Sequence, residues 1–329
     1  MSVNGLVDAP RVAVTGASGF VGSALIKLLS AHGDFAPLAI YRSAPDRPLQ
    51  GCETFVCGDL TPDTDFTAAL KGVDCVVHCA ARVHVMNERA SDPMAEFRMA
   101  NVEATLNLAR QAAQSGVRRF VFISSIKVNG EATQPGKPYQ ADDVPAPGDA
   151  YGVSKMEAEE GLRSIAEAAG MSIVIIRPVL VYGPGVKANF FNMMKWLSKG
   201  VVLPFGAINN KRSLVSIYNL VDLIRVCLKH PAAANQTFLV SDGEDVSTTQ
   251  LLKKMAKALR CDARLLPIPS GLLVAAAALL NKKSLSQRLC GNLQVDIQKN
   301  RSLLEWTPPM SVEQGFELTA ADFQGRTKA

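Results

Sequence analysis

Seven short runs of β-branched or apolar residues, at 11–14, 37–41, 54–57, 75–79, 120–123, 172–176 and 238–240, alternate along the chain with amphipathic stretches. Each run is apolar throughout rather than at every second position, which suits strands covered on both faces, and the intervening stretches have the period of the covering helices. Between 95 and 114, Val102, Leu106, Ala109 and Ala113 recur at helical spacing, and Gly116 stands where that helix would stop. Strands alternating with helices predict an α/β fold, a doubly wound parallel sheet. After Pro178 the rhythm degrades, with Pro184, Pro204, Pro267, Pro269, Pro308 and Pro309 punctuating the rest. At 329 residues the chain exceeds one ordinary domain. A first domain over 1–178, to which 213–245 returns, and a smaller C-terminal lobe over 179–329 are therefore expected.

Composition removes several function classes. Lys and Arg number 35 against 30 Asp and Glu, but no basic run exceeds two residues, so no nucleic-acid partner is expected. Seven cysteines without a Cys-x-x-Cys pair read as reduced thiols of a cytoplasmic protein, and no metal site is expected. The N-terminus lacks a basic segment followed by an apolar one, so no signal peptide is expected. The longest apolar run, 271–280, is too short to span a bilayer and is expected to be a core helix.

The first strand runs directly into Thr15-Gly16-Ala17-Ser18-Gly19-Phe20-Val21-Gly22 and then a helix. Gly16 permits the tight turn, Gly19 lets backbone approach a pyrophosphate at the helix N-terminus, and Gly22 lets the helix pack closely on the strand. This order is that of a Rossmann-like dinucleotide site. An NAD site usually closes its second strand with an acid that binds the ribose 2′-hydroxyl, and here that strand ends Tyr41-Arg42-Ser43. Arg42 suits a 2′-phosphate, so NADP(H) is favoured and NAD(H) stays open.

Tyr151 and Lys155 are four apart and share one face if their segment is helical, as 156–169 suggests. A free phenol titrates near 10, roughly, and needs a neighbouring cation to exchange a proton near neutrality, which Lys155 is placed to supply. Ser124 and Ser125 follow the strand at 120–123, at the end of a parallel sheet where ligands bind.

With these pieces the chain resembles the extended short-chain dehydrogenase/reductase family of nucleotide-sugar enzymes, over nearly its whole length. The matching segments are Thr15 to Gly22, Gly58-Asp59-Leu60, His78-Cys79-Ala80-Ala81, Asn101-Val102, Ser124-Ser125, Tyr151 with Lys155, and Arg177-Pro178 leading to Val181-Tyr182-Gly183-Pro184-Gly185. The resemblance implies an NAD(P)-binding first domain in which Asp59 and Leu60 hold the adenine, Ala80 and Ala81 line the cofactor, and Pro178 and Leu180 lie beside the nicotinamide. It also implies a triad of Ser125, Tyr151 and Lys155, with Lys155 binding the ribose. Asn129 and Lys127 depart from the pattern, standing where the family has a tyrosine and a small residue. In the second lobe, Asn189 and Arg212 resemble the uridine and diphosphate contacts of a UDP site. Arg288 is a candidate second cation there, and Lys127 a candidate substrate contact. A homodimer is implied as well.

The function expected from this is NADPH-dependent reduction of the 4-keto group of a UDP-2-acetamido-2,6-dideoxy-hexose, giving UDP-N-acetylquinovosamine or a similar sugar for surface-polysaccharide synthesis. Tyr151 would protonate the oxygen and Ser125 would hydrogen-bond it. The alternatives are an NAD-dependent UDP-N-acetylhexosamine or UDP-glucose 4-epimerase on the same triad, and a non-catalytic NADP-sensing scaffold. His32, His84 and His230 stand at no catalytic spacing and are expected to be structural or exposed.

Overall fold

The computed structural model describes residues 9–83, 92–280 and 283–328. In chain order the first part contains β1 (Arg11–Thr15), α1 (Phe20–His32), β2 (Ala36–Tyr41), β3 (Glu53–Val56), α2 (Thr67–Leu70), β4 (Cys75–His78), α3 (Pro93–Arg98), α4 (Ala104–Gln114), β5 (Arg119–Ile123), α5 (Ala150–Ala169) and β6 (Ser172–Pro178). There follow β7 (Leu180–Tyr182), α6 (Ala188–Ser198), β8 (Arg212–Ser216), α7 (Ile217–Lys229), β9 (Gln236–Val240), β10 (Asp245–Val246), α8 (Thr248–Leu259), α9 (Ser270–Leu279), α10 (Lys283–Cys290), α11 (Gln298–Leu304) and α12 (Val312–Lys328).

Seven strands form one all-parallel sheet in the order β3-β2-β1-β4-β5-β6-β9. Its apolar residues feed two cores. Val12, Val14, Val77, Val121 and Val174 face α1 and α7, while Ala13, Val76, Phe120, Phe122 and Ile175 face α4 and α5. Uniformly apolar strands are thereby covered on both sides. The order reverses between β1 and β4, so a crevice opens where both strands end.

A three-stranded sheet, β10-β8-β7, and a third core built on Tyr182, Phe190, Leu252 and Phe316 make up the rest. The chain passes between the two sheets more than once. β8 pairs in the small sheet, α7 packs on the large one and β9 extends it.

Two expectations fail here. The helix expected over 95–114 is interrupted by a π-helical turn, Met99–Glu103, which carries the buried Asn101. The amide of Asn101 bonds the backbone of Arg82 in both directions and the hydroxyl of Ser154 at 3.1 Å, ties that hold the chain there. The apolar run 271–280 forms α9, which buries none of its residues. Periodicity cannot reveal whether a partner element exists, and within this fold α9 packs chiefly on α10. Among the described residues no helix is long and apolar enough to cross a membrane.

Candidate active site

The turn after β1 is built by contact. Gly16 has φ 67°, and a Cβ there would stand 2.8 Å from the backbone nitrogen of Ala80, so the end of β1 meets the loop after β4 at backbone distance. A Cβ on Gly22 would lie 2.3 Å from the Gly16 carbonyl oxygen, which is how α1 seats so close to the strand. Gly19 is the N-cap of α1 and supplies no side-chain cap, so the first-turn N–H groups at Phe20, Val21 and Gly22 have no side-chain acceptor. Exposed Ser18 flanks them. A glycine cradle with free amides at a helix N-terminus fits the pyrophosphate of a dinucleotide. Ala80 sits against this turn, and exposed Ala81 follows it. Arg42 follows β2 and meets Asp59 at 3.8 Å, with both side chains more than three-quarters exposed, a pair too solvated to fix either partner. Leu60 packs half-buried on the core beside them, and Pro178 closes β6 ahead of exposed Leu180.

Ser125, Tyr151 and Lys155 come together at the carboxyl ends of β4, β5 and β6. Ser125 caps the 3-10 turn Ile126–Val128, and Tyr151 opens α5, whose N-cap Asp149 accepts from the Gly152 amide at 2.7 Å. The Tyr151 phenol is hydrogen-bonded to Ser125, and burial pushes its pKa up to about 12. Lys155 is 1 % exposed, its Nζ 3.9 Å from the centroid of the Phe122 ring. Burial draws its pKa down to about 7, against the pull of Glu159 and then Cys79. The ammonium faces the ring and Glu159, and Ser125 is the group that draws the phenol down.

The sequence reading missed what lies behind the triad. Glu159, one turn beyond Lys155, binds Arg177 through Nε at 2.9 Å and Nη2 at 2.5 Å and accepts from Ser124 Oγ at 2.5 Å. Arg177 also donates to Asn129 Oδ1 at 2.9 Å, which explains the departure at 129. Arg177 and Glu159 are both buried, so removing either strands the charge of the other, at about 3–5 kcal/mol. A glutamate four residues past Lys155 and an arginine inside an apolar strand were the available signals. Beneath Lys155, His78 bonds Thr15 at 2.7 Å and Thr105 at 3.0 Å, and burial pushes its pKa down to about 3, so it is neutral at working pH.

Of the expected substrate contacts, Arg212 is half-buried on β8, its Nη1 donating to the Gly291 carbonyl at 3.2 Å. Burial, and then the charge of Arg288, hold its pKa below the usual arginine range, so the two cations are near enough to repel. Lys127 is bound by Asp149 and, at 3.3 Å, by Glu131. Asn189 lies in α6, its side chain outside the described residues, as is His84. His32 is exposed. Among the described residues no cluster could hold a metal ion.

Residues 12–241 match the NAD dependent epimerase/dehydratase family. The chain belongs to that family. It is 49 % identical over 313 residues to a UDP-glucose 4-epimerase of Vibrio cholerae, covering 95 % of each protein. Its fold matches the UDP-glucose 4-epimerase of Thermotoga maritima solved with UDP-glucose, at TM-score 0.74 and 20 % identity, over 96 % of this chain and 99 % of that one. It also matches the Bacillus cereus UDP-glucuronic acid 4-epimerase in complex with NAD, at TM-score 0.76 and 19 % identity, over 96 % and 99 %. The chain is an NAD(P)-dependent enzyme of the nucleotide-sugar branch, an epimerase or a reductase.

Proposed function

We propose that the enzyme is a UDP-hexose 4-epimerase that keeps its NAD through the catalytic cycle. The 49 % identity to the Vibrio epimerase along nearly the whole of both chains carries this reading. Residues 1–178 would hold the dinucleotide and 179–329 the UDP-sugar, with 213–245 shared between them. Arg212 and Arg288, two cations near enough for one to feel the charge of the other, suit a diphosphate. Asn189 would meet the uridine, and Lys127 is close enough to the triad, through Asp149, to border the sugar. The glycine turn, Arg42, Asp59, Leu60, Ala80, Ala81, Pro178 and Leu180 would surround the cofactor. A homodimer working at the entry to surface-polysaccharide synthesis completes the reading.

When bound, the nicotinamide supplies an acceptor, and later a donor, for the C4 hydrogen. Tyr151 takes the C4 hydroxyl proton and gives it back on the other face of the ring. Ser125 hydrogen-bonds the same oxygen as it becomes a carbonyl. A phenol near 12 is protonated at neutral pH, so base duty needs a cation beside it, and Lys155, four residues on along α5, is the one this reading assigns.

A second reading, the NADPH-dependent 4-keto reductase, is favoured by one observation: Arg42 occupies the place of the ribose-binding acid at the end of β2. The nucleotide that leaves the purified protein on heating separates the two. NAD, near one per chain by mass spectrometry, is expected. A preparation that carries no nucleotide, yet binds added NADPH in preference to NADH, would favour the reductase.

A further inference from the structure

Helix α9, SGLLVAAAAL, is apolar around its whole circumference, yet Leu272 is 63 % and Leu279 87 % exposed. A helix apolar on every side is one buried on every side, and this fold leaves it open. Its neighbours extend the surface. The Val201 amide donates to the Trp196 carbonyl, Leu203 pairs with Leu265, and Ala207 pairs with Pro269 at the start of α9. Trp196, Val202 and Leu266 on that edge are exposed too.

Charge on the same two segments has one sign. Residues 183–221 carry five Lys or Arg and no Asp or Glu, and residues 263–295 carry four and none. Among the described residues, Lys195, Lys199 and Arg264 are exposed with no carboxylate at ion-pair distance. A second copy of the chain fits poorly, because a two-fold interface would set these cations against themselves. An anionic surface with an apolar interior fits both properties.

We propose that α9, with the basic edge around Trp196 and Leu266, is a docking surface for an anionic lipid bilayer. At ten residues α9 is about 15 Å long, enough to lie in the headgroup boundary and too short to cross. The cations beside it add electrostatic attraction that salt screens. Helix α10 adjoins α9 and carries Arg288, whose charge reaches Arg212, so the docked face borders the lobe proposed to take the UDP-sugar. The inference goes beyond the epimerase reading and holds whichever reaction the triad performs.

The test is sedimentation of the full chain with vesicles of phosphatidylglycerol and phosphatidylethanolamine, and with phosphatidylcholine alone. Binding to the anionic vesicles is expected, weaker in high salt and at least tenfold weaker to the neutral ones. Trp196 emission should shift to the blue on binding, since the other tryptophan, Trp306, is already buried. Leu272→Gln/Leu279→Gln should cut partitioning by tenfold or more while leaving the thermal midpoint and turnover in solution unchanged, because both side chains are exposed and neither belongs to the triad or to the proposed UDP-sugar contacts. Protein that stays in the supernatant, or equal binding by the double variant or to neutral vesicles, would overturn the proposal. So would self-association without lipid that the double variant abolishes, which would give the face to a second copy.

Discussion

Tyr151 and Lys155 are each held away from their solution chemistry by burial, and each gives a measurable consequence. Tyr151→Phe keeps the ring that meets Phe97 at 6.1 Å and removes the proton carrier. Turnover should fall by about 10² to 10⁴, with the amount of copurifying dinucleotide unchanged, and a variant retaining half its rate would remove Tyr151 from the chemistry. Lys155 titrates near 7 in the fold against an ordinary 10.5. Between those values the unfolded chain binds the extra proton, so this group alone makes stability rise as pH climbs from about 7 to about 10.5, and below 7 its cost is constant. Thermal midpoints of Lys155→Met should therefore lack part of the rise that the unaltered protein shows over that window. Equal slopes would show that the lysine is not held at a depressed pKa. The spacing of Tyr151 and Lys155 was legible in the sequence because helical geometry is local. The direction of the ammonium was not, since it depends on Phe122, Cys79 and Glu159, three groups from three parts of the chain.

At the scale of the element, strands buried on both faces were the most legible feature. The runs at 11–14, 120–123 and 172–176 became Arg11–Thr15, Arg119–Ile123 and Ser172–Pro178, because continuous apolarity bounded by turns has few other uses in a chain of this kind. The glycine turn was equally plain, and its geometry makes a prediction. Gly22→Ala would place a methyl 2.3 Å from the Gly16 oxygen, so α1 must shift off β1. A loss of about 1–3 kcal/mol in stability is expected, together with loss of retained dinucleotide. An alanine variant that holds its cofactor as tightly as the unaltered protein would show that α1 need not seat so closely. The elements that misled are those decided by tertiary partners. Val102 and Leu106 carry a helical period straight through Met99–Glu103, where the ties of Asn101 impose a wider turn. The run at 271–280 looked like core only because composition records apolarity and not what covers it.

Across the whole molecule, the crevice at the β1/β4 reversal brings together residues from 15 to 178, and Arg212 and Arg288 come from the chain beyond it. The seven-stranded sheet was readable from periodicity; the reaction was not, because reduction and epimerisation ask the same things of Ser125, Tyr151 and Lys155. What separates them is the fate of the cofactor, and the similarity to 4-epimerases weighs toward epimerisation more than Arg42 weighs against it. The direct measurement is turnover by the purified protein with nothing added but substrate. UDP-glucose or UDP-N-acetylglucosamine should be converted to the C4 epimer until the two sugars reach equilibrium, with no net change in nicotinamide absorbance. Unchanged sugars in that tube, alongside stoichiometric consumption of NADPH with a UDP-4-keto-6-deoxy-N-acetylhexosamine, would contradict the epimerase assignment and establish a reductase.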